Sequence, residues 1–401
     1  MIRQRADLTF KENVKYSRHG WLRLTPAYSV KIVEKILDDN SSIQTILDPF
    51  SGSGTTGLIA SQRGLACDLW DINPFLVWLA EVKCANYSLE VIKNTKQITD
   101  EIVYSQHTLK DDNWIPAISN IERWWTPNQL TSLANLFNLI KQFSLPYSSE
   151  RNLLYIAFCQ VMIRWSNASF NHQSMSFKTQ NGQLSLFNEP EMAVLYQDFM
   201  QSLYNILIDA HESLVNTPHI FLQDARHTPF YSKQYDAIIT SPPYVNRMSY
   251  IRELRPYMYW LGYLNEAKEA GELDWQAIGG TWGIATSRLN HWNPQITITS
   301  SIIQSIVEKV DTSSPILSKY IHKYFIDMSI HFANIVSLVR NGGQVYYVVG
   351  NSKFYDTLVP VEKIYAELLE TSGFVNIRIE AIRKRNSKKE LLEFLVSAQK
   401  P

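Results

Sequence analysis

"IQTILDPFSGSGTTGLIASQRGLACDLWDINP", residues 43–74, changes character three times within a short span. An apolar run through Ile46 and Leu47 ends at Asp48 and reads as a short buried strand. "SGSGTTG" is a glycine loop, and "TTGLIASQRG" is a helix with Gly64 as its stop. "LACDLWDINP" is a second strand ending near Asp71. Strand, glycine loop, helix and strand make a βαβ unit, which implies a parallel sheet. The spacing Gly52-x-Gly54-x-x-Gly57, with an acid after the second strand, is that of a nucleoside-cofactor loop. Glycines let a ligand approach the backbone, and the helix N-terminus favours an anionic group. In a nicotinamide loop the first glycine usually sits at the strand end. Here Asp48-Pro49-Phe50 intervenes, and a carboxylate at a strand tip suits an amino-bearing ligand better than a pyrophosphate.

Working outward, "LTPAYSVKIVEKIL" (24–37) reads as a helix capped by Thr25 with Pro26 in its first turn. After Pro74 the alternation stops, and residues up to Asn216 are mainly helical. "TPNQLTSLANLFNLIKQF" places Leu130, Leu133, Phe137 and Ile140 on one face, with Thr126 as cap. This block, residues 76–218, reads as an insertion between the second and third sheet strands. Strands resume with "HIFLQDAR" and "YDAIITS". Residues 265–300 show no clear period and read as loop-rich. "SPILSKYIHKYFIDMSIHFANIVSLVRNGG" reads as one long helix stopped by Gly342-Gly343. A strand, a helix and two further strands follow. The fold expected is α/β, a Rossmann-like sheet formed by residues 1–75, 219–264 and 301–401.

A second motif lies at "YDAIITSPPYVNRMSY", which begins at Tyr235. The strand runs into Ser241-Pro242-Pro243-Tyr244. Two prolines remove two donors and fix two φ angles, so the turn is stiff and presents carbonyls, a hydroxyl and an aromatic ring. "LQDAR" adds Asp224 at another strand end. Asp48, Asp71 and Asp224 are thereby expected along the carboxyl edge of one sheet, where open α/β sheets bind ligands.

"DPFSGSGTT", "DINP", "QDAR" and "TSPPY" together resemble the motif set of the S-adenosylmethionine-dependent DNA amino-methyltransferases of restriction–modification systems. The resemblance covers the sheet-forming parts, about residues 16–75 and 219–400, and implies a Rossmann-like methyltransferase fold. It implies S-adenosylmethionine as cofactor, held by Asp48, Pro49, Phe50, Gly52, Gly54, Thr55, Thr56, Asp71 and Asp224. It implies double-stranded DNA as partner and catalysis at Ser241, Pro242, Pro243 and Tyr244 on a base flipped out of the helix. An exocyclic amine is a poor nucleophile because its lone pair is conjugated into the ring. Acceptors aimed at its hydrogens help, and Tyr244 can stack on the base. In the family, serine at the first position of the turn is commoner in cytosine N4 enzymes, so cytosine N4 is the base expected, with adenine N6 the alternative. Arg247, Arg252 and Arg255 follow the turn and are candidate phosphate contacts. The aromatic run Tyr257, Tyr259, Trp260 and Tyr263 reads equally well as stacking surface or as core. "RKRNSKK" (383–389) is a weaker DNA-facing candidate, and residues 265–300 and the helical insertion are both candidate target-recognition regions.

Composition narrows the rivals. Lys+Arg and Asp+Glu both total 38, giving a formal net charge of zero, which excludes a globally basic DNA-coating protein but permits a local basic cleft. Cys67, Cys84 and Cys159 are widely spaced with no CxxC pair, so no metal site or disulfide framework is expected. None sits in a catalytic-looking loop, which argues against cytosine C5 chemistry. No apolar run approaches the roughly 18 residues that mark a membrane span, so a cytoplasmic location is expected, with a cognate restriction endonuclease as a possible partner. An RNA guanine N2 methyltransferase is the remaining catalytic rival. Such enzymes usually carry an RNA-binding domain before the core, and about 45 residues precede the first strand here.

Overall fold

The computed structural model describes residues 2–401 apart from 23, 25–26, 109–113, 170–175, 178–190, 228–232, 282, 299 and 386–389. Its centre is a seven-stranded sheet. In chain order the strands are β1 (Thr45–Asp48), β2 (Ala66–Asp71), β3 (His219–Leu222), β4 (Tyr235–Thr240), β5 (Val339–Gly350), β6 (Val375–Lys384) and β7 (Leu392–Gln399). They lie in the order β6-β7-β5-β4-β1-β2-β3. All neighbours pair in parallel except β7, which runs antiparallel to both β5 and β6. This is the Rossmann-like sheet expected from the sequence.

The βαβ unit folds as read. Helix α2 (Thr55–Gln62) follows the glycine loop, and a Cβ added at Gly57 would lie 2.4 Å from Leu69 Cδ1. That close approach of helix to strand is why only glycine fits there. One face of the sheet is covered by α1 (Val30–Asp39) and α2, through Val33, Ile36, Ile59 and Ala60. The other face carries α12 (Pro315–Ile335) and α13 (Val361–Thr371), through Phe325, Phe332, Ile364 and Leu368.

Between β2 and β3 lies a block of helices. It is built from α3 (Pro74–Cys84), α4 (Leu89–Tyr104), α5 (Pro127–Phe143), α6 (Ser149–Arg164) and α7 (Glu191–Ala210). These helices have their own core around Trp124, Trp125, Phe137 and Phe158. The helix after the Ser241–Tyr244 turn, α8 (Tyr250–Trp260), docks into that core. Trp260 meets Phe158 edge-on at 5.2 Å and Trp125 at 5.9 Å. Tyr257, Tyr259 and Trp260 are buried, so this part of the aromatic run is core and not a stacking surface.

Three boundaries depart from the sequence reading. Helix α1 starts at Val30 and is capped by Ser29, not Thr25, which with Pro26 lies outside the described residues. Helix α12 ends at Ile335. A short 3-10 turn leads into β5 at Val339, so Gly342 and Gly343 lie within a strand and do not stop a helix. Gly342 adopts φ +78°, and the β4–β5 register slips between Tyr235↔Val339 and Ala237↔Gln344, as an irregularity in the ladder requires. Residues 265–300 are not loop-rich. They hold α9 (Ala267–Gln276) and α10 (Ile284–His291), followed by α11 (Ser301–Asp311). Both α9 and α10 are short and carry polar residues all round, which is why no period stood out.

Arg18 ties the insertion to the core. Its buried guanidinium donates to the carbonyls of Lys83 (3.2 Å) and Ala85 at the end of α3. It also donates to Asp209 (3.3 Å), Ala210 (3.2 Å) and Glu212 (2.5 Å) at the end of α7. One cation thus satisfies the orphan carbonyls of two helix C-termini. We expect Arg18→Met, which keeps the apolar stem but leaves those acceptors unmade, to lower the unfolding free energy by about 3 kcal/mol or more. Urea melts measure this, and an unchanged midpoint would remove Arg18 from the account.

Candidate active site

β1 and β4 are parallel neighbours, with Ile46 opposite Ala237 and Leu47 opposite Ile238, so their C-terminal ends lie side by side. That places Asp48 next to Thr240, directly before the catalytic turn. Asp48 is fully buried. Its Oδ1 accepts from the Thr240 hydroxyl (2.6 Å) and the Phe50 N–H (3.1 Å). Its Oδ2 accepts from Thr56 (2.5 Å) and Tyr28 (3.4 Å), whose hydroxyls also bond one another. Burial pushes its carboxyl up to about 6, opposed by these donors. Asp48 was expected to face an amino-bearing ligand. It does not line the pocket in front of the loop, because both its oxygens are taken up by these four donors.

In front of the loop lies a pocket lined by Pro49, Phe50, Ser51, Gly52, Ser53, Thr55, Asp71, Asn73, Asp224, Ser241 and Pro243. Six of the nine candidate cofactor residues therefore line it, while Asp48, Gly54 and Thr56 stand behind. Asp71 fixes the loop, accepting from Gly52 N–H (2.9 Å) and Asn73 N–H (2.8 Å). Burial pushes it, too, up to about 6. Asp224 is held by Arg226, with Nη2–Oδ2 at 2.6 Å and Nε–Oδ1 at 3.0 Å. Burial alone would raise Asp224, yet Arg226 holds it below its ordinary value. Arg226 also reaches Asp327 (3.0 Å) and the Gln276 carbonyl (2.5 Å). Gln276, Ala277 and Ile278 wall the pocket, so part of the region assigned to target recognition closes this site.

The pocket fits S-adenosylmethionine. The Ser51 hydroxyl is buried without a hydrogen-bond partner, and a Cβ on Gly52 would meet nothing within 4 Å. Helix α2 begins at a glycine N-cap with no side chain to satisfy its first N–H groups, which suits a ligand carboxylate. Asp71 stands where ribose hydroxyls are accepted on this fold. Phe50 is held edge-on by His331 at 4.8 Å. Burial lowers His331 to about 4, so its ring is neutral, bridging the Ala225 carbonyl (2.9 Å) and the Tyr347 hydroxyl (2.8 Å).

The turn stands between this pocket and a second one. Ser241 and Pro243 line the first, whereas Tyr244 lines the second with Asn246, Met248, Arg383, Lys384, Arg385 and Glu393. Ala27, Tyr28 and Tyr250 border both. Ser241 donates its hydroxyl proton to the Val348 carbonyl (3.1 Å), which leaves its lone pairs free to accept. The turn is braced from outside: Tyr324 donates to the Pro243 carbonyl (2.7 Å), and the Tyr244 N–H donates to the Tyr250 hydroxyl (3.1 Å).

The three candidate arginines separate. Arg247 is exposed and Arg252 half-buried. Arg255 lies 5.2 Å over the Trp124 ring, packed against the insertion, and so is no phosphate contact as placed. Of "RKRNSKK", Arg383 and Arg385 border the Tyr244 pocket, and residues 386–389 lie outside the described residues. All three cysteines are buried, and burial pushes the Cys84 thiol up to about 12, leaving no nucleophile for C5 chemistry. Among the described residues no cluster of three His, Cys, Asp or Glu gathers, and no helix is long and apolar enough to cross a membrane.

Sequence reasoning missed Tyr28, Lys83, Arg226 and Thr240. Lys83 is buried and donates to the Ser53 carbonyl (3.0 Å), holding the glycine loop from behind, and burial lowers it to about 8. Its signal was available: a single cation within the apolar "PFLVWLAEVKC".

The two loop glycines make a separable prediction. A Cβ on Gly54 (φ +75°) would lie 3.0 Å from Ala80 Cβ, against α3 and not in the pocket. Gly52 also has a positive φ (+51°), so both valines strain the backbone, but Gly54→Val adds the clash and is expected to cost more folding stability, and Gly52→Val to cost more S-adenosylmethionine affinity. Melting temperatures and titration calorimetry on both variants check this. The opposite ordering would misplace the cofactor.

Residues 30–199 match the family described as D12 class N6 adenine-specific DNA methyltransferase. The type II methyltransferase M.BsoBI of Geobacillus stearothermophilus is 22% identical, over 95% of this chain and 83% of the relative. M.AvaI of Nostoc sp. is 23% identical over 92% and 82%, and M.MvaI of Kocuria varians 20% over 86% and 79%. Among solved structures, the rRNA methyltransferase aviRa from Streptomyces viridochromogenes aligns over 93% of this chain and 86% of its own. Its TM-score is only 0.29, at 10% identity. The motifs and the sequence relatives thus agree in their similarity to S-adenosylmethionine-dependent DNA methyltransferases.

Proposed function

We propose that the chain transfers a methyl group to the exocyclic amine of a base flipped out of double-stranded DNA, at Ser241-Pro242-Pro243-Tyr244. The observation that carries this reading is the placement of Ser241, which lines the cofactor pocket with its proton already given to Val348. S-adenosylmethionine supplies an electrophilic methyl when bound. Ser241 accepts a hydrogen bond from the amine, which draws the nitrogen lone pair out of conjugation. Stiff Pro242 and Pro243 keep that acceptor preorganised. Tyr244 stacks on the base from the adjoining pocket, and Asp71 with the glycine loop orients the cofactor. Catalysis is then positioning and electrostatics, with no covalent enzyme intermediate. Arg247 and Arg252 contribute phosphate contacts. The matched family's description as a DNA methyltransferase supports DNA over RNA, and a cognate restriction endonuclease is the further partner this reading implies.

Two amines fit this chemistry. The matched family's description supports adenine N6, the alternative on the sequence, over cytosine N4. That match ends at residue 199, before the turn. The serine of the turn supports cytosine N4 as the second reading, through its association in the family. The test is incubation with labelled S-adenosylmethionine and unmodified duplex DNA, followed by nucleoside analysis. We expect label in N6-methyladenine. N4-methylcytosine would reassign the base and leave the mechanism standing. Ser241→Ala should lose about 10²-fold or more in rate while still binding cofactor, and Tyr244→Ala should lose stacking worth about 1–3 kcal/mol. Label in 5-methylcytosine, or full activity in Ser241→Ala, would sink the mechanism.

A further inference from the structure

Tyr244 is not left to find its own orientation. Its hydroxyl donates to Glu393 Oε1 at 2.8 Å. Glu393 comes from β7 and is buried, with 4% of its surface exposed. Arg383 of β6, across the β6–β7 hairpin, locks that carboxylate in two-point fashion: Nε–Oε2 at 2.7 Å and Nη2–Oε1 at 3.0 Å. Arg385 lies 5.0 Å over the Tyr244 ring, and its own Nη1 is fixed on the Asn351 carbonyl at 2.7 Å. The approach is tight. A Cβ on Gly350 would lie 2.5 Å from Arg385 Nη1 and 2.9 Å from Tyr244 Cε2. The C-terminal hairpin therefore grips the ring by its hydroxyl and one face, while the Tyr250 hydroxyl accepts from the backbone N–H at its root.

From this we infer that Glu393 is a positioning residue for methyl transfer: held by Arg383, it fixes the Tyr244 ring against which the target base stacks. The inference rests on the reading of the turn as the target-amine site. Neither residue type nor spacing marked Glu393 in the sequence, since it lies 149 residues from its partner. A free tyrosine ring rotates about two side-chain torsions, and each misplaced orientation removes the base from in-line reach of the methyl group. A two-point ion pair behind the acceptor restricts the hydroxyl to one location. Such an arrangement acts on the reacting complex and not on either ligand's binding pocket, so it should appear in turnover and not in cofactor affinity.

The test is steady-state methylation of duplex DNA with labelled S-adenosylmethionine, together with calorimetric cofactor binding. Glu393→Ala is expected to lower kcat about tenfold or more, the loss of one charge-assisted hydrogen bond, with cofactor affinity unchanged. Glu393→Gln, which keeps an acceptor of the same size, should recover most of that loss. Tyr244→Phe removes the same contact from the other side without exposing a buried charge, and remains informative if Glu393→Ala does not fold. It should lower kcat comparably, and combining it with Glu393→Ala should add little, because both break one interaction. Wild-type kcat in Tyr244→Phe, or losses that multiply in the double variant, would overturn the inference while wild-type methylation stands. A wild-type enzyme that methylates neither adenine nor cytosine in DNA would instead overturn the underlying reading, and the inference with it.

Discussion

A single buried carboxylate, Asp48, joins the parts on which everything else depends. It gathers donors from the N-terminal segment (Tyr28), the helix after the glycine loop (Thr56), the loop backbone (Phe50) and the catalytic strand (Thr240). Burying a carboxylate is costly unless hydrogen bonds replace water, and here both oxygens are supplied. The glycine loop and the proposed catalytic turn are thus not two sites that happen to be adjacent. They are two ends of one hydrogen-bonded knot, positioned by the parallel pairing of β1 and β4.

The same economy recurs around the site. Lys83 holds the glycine loop from α3, and Arg226 links Asp224 to Asp327 and to the end of α9. Tyr324 and Tyr250 brace the turn. Arg18 binds the two ends of the inserted helices to one another. The inserted helices and the C-terminal hairpin were each added to the sheet at a distance in sequence, and each reaches the turn: the insertion through α8, the hairpin through Glu393 and Arg385.

The sheet was legible because its signals are local. Residues 43–74 carry strand, loop, helix and strand in one run, and the placement of the insertion followed from where alternation stopped. The turn was legible because two prolines leave few alternatives. What escaped depends on three-dimensional context. Asp48 and Gly54 bear the right residue types for ligand contact, but Asp48 is engaged by Thr240 and Gly54 abuts Ala80, both remote in sequence. Arg255 shares a helix with Arg252 yet faces Trp124, because α8 is packed on the insertion. Residues 265–300 fold as short helices whose polar sequence has no period, and so did not announce that they wall the cofactor pocket.

The claim that Asp48 makes the two sites one unit is tested most directly at Thr240, which is buried and does not line the cofactor pocket. Thr240→Val keeps the shape of the side chain and removes only the hydroxyl that Asp48 accepts. Calorimetric titration of the folded variant with S-adenosylmethionine should show affinity weakened by about fivefold or more, the cost of breaking a hydrogen bond to a buried charge. Wild-type affinity in that variant would contradict the account, leaving the cofactor loop independent of the catalytic strand.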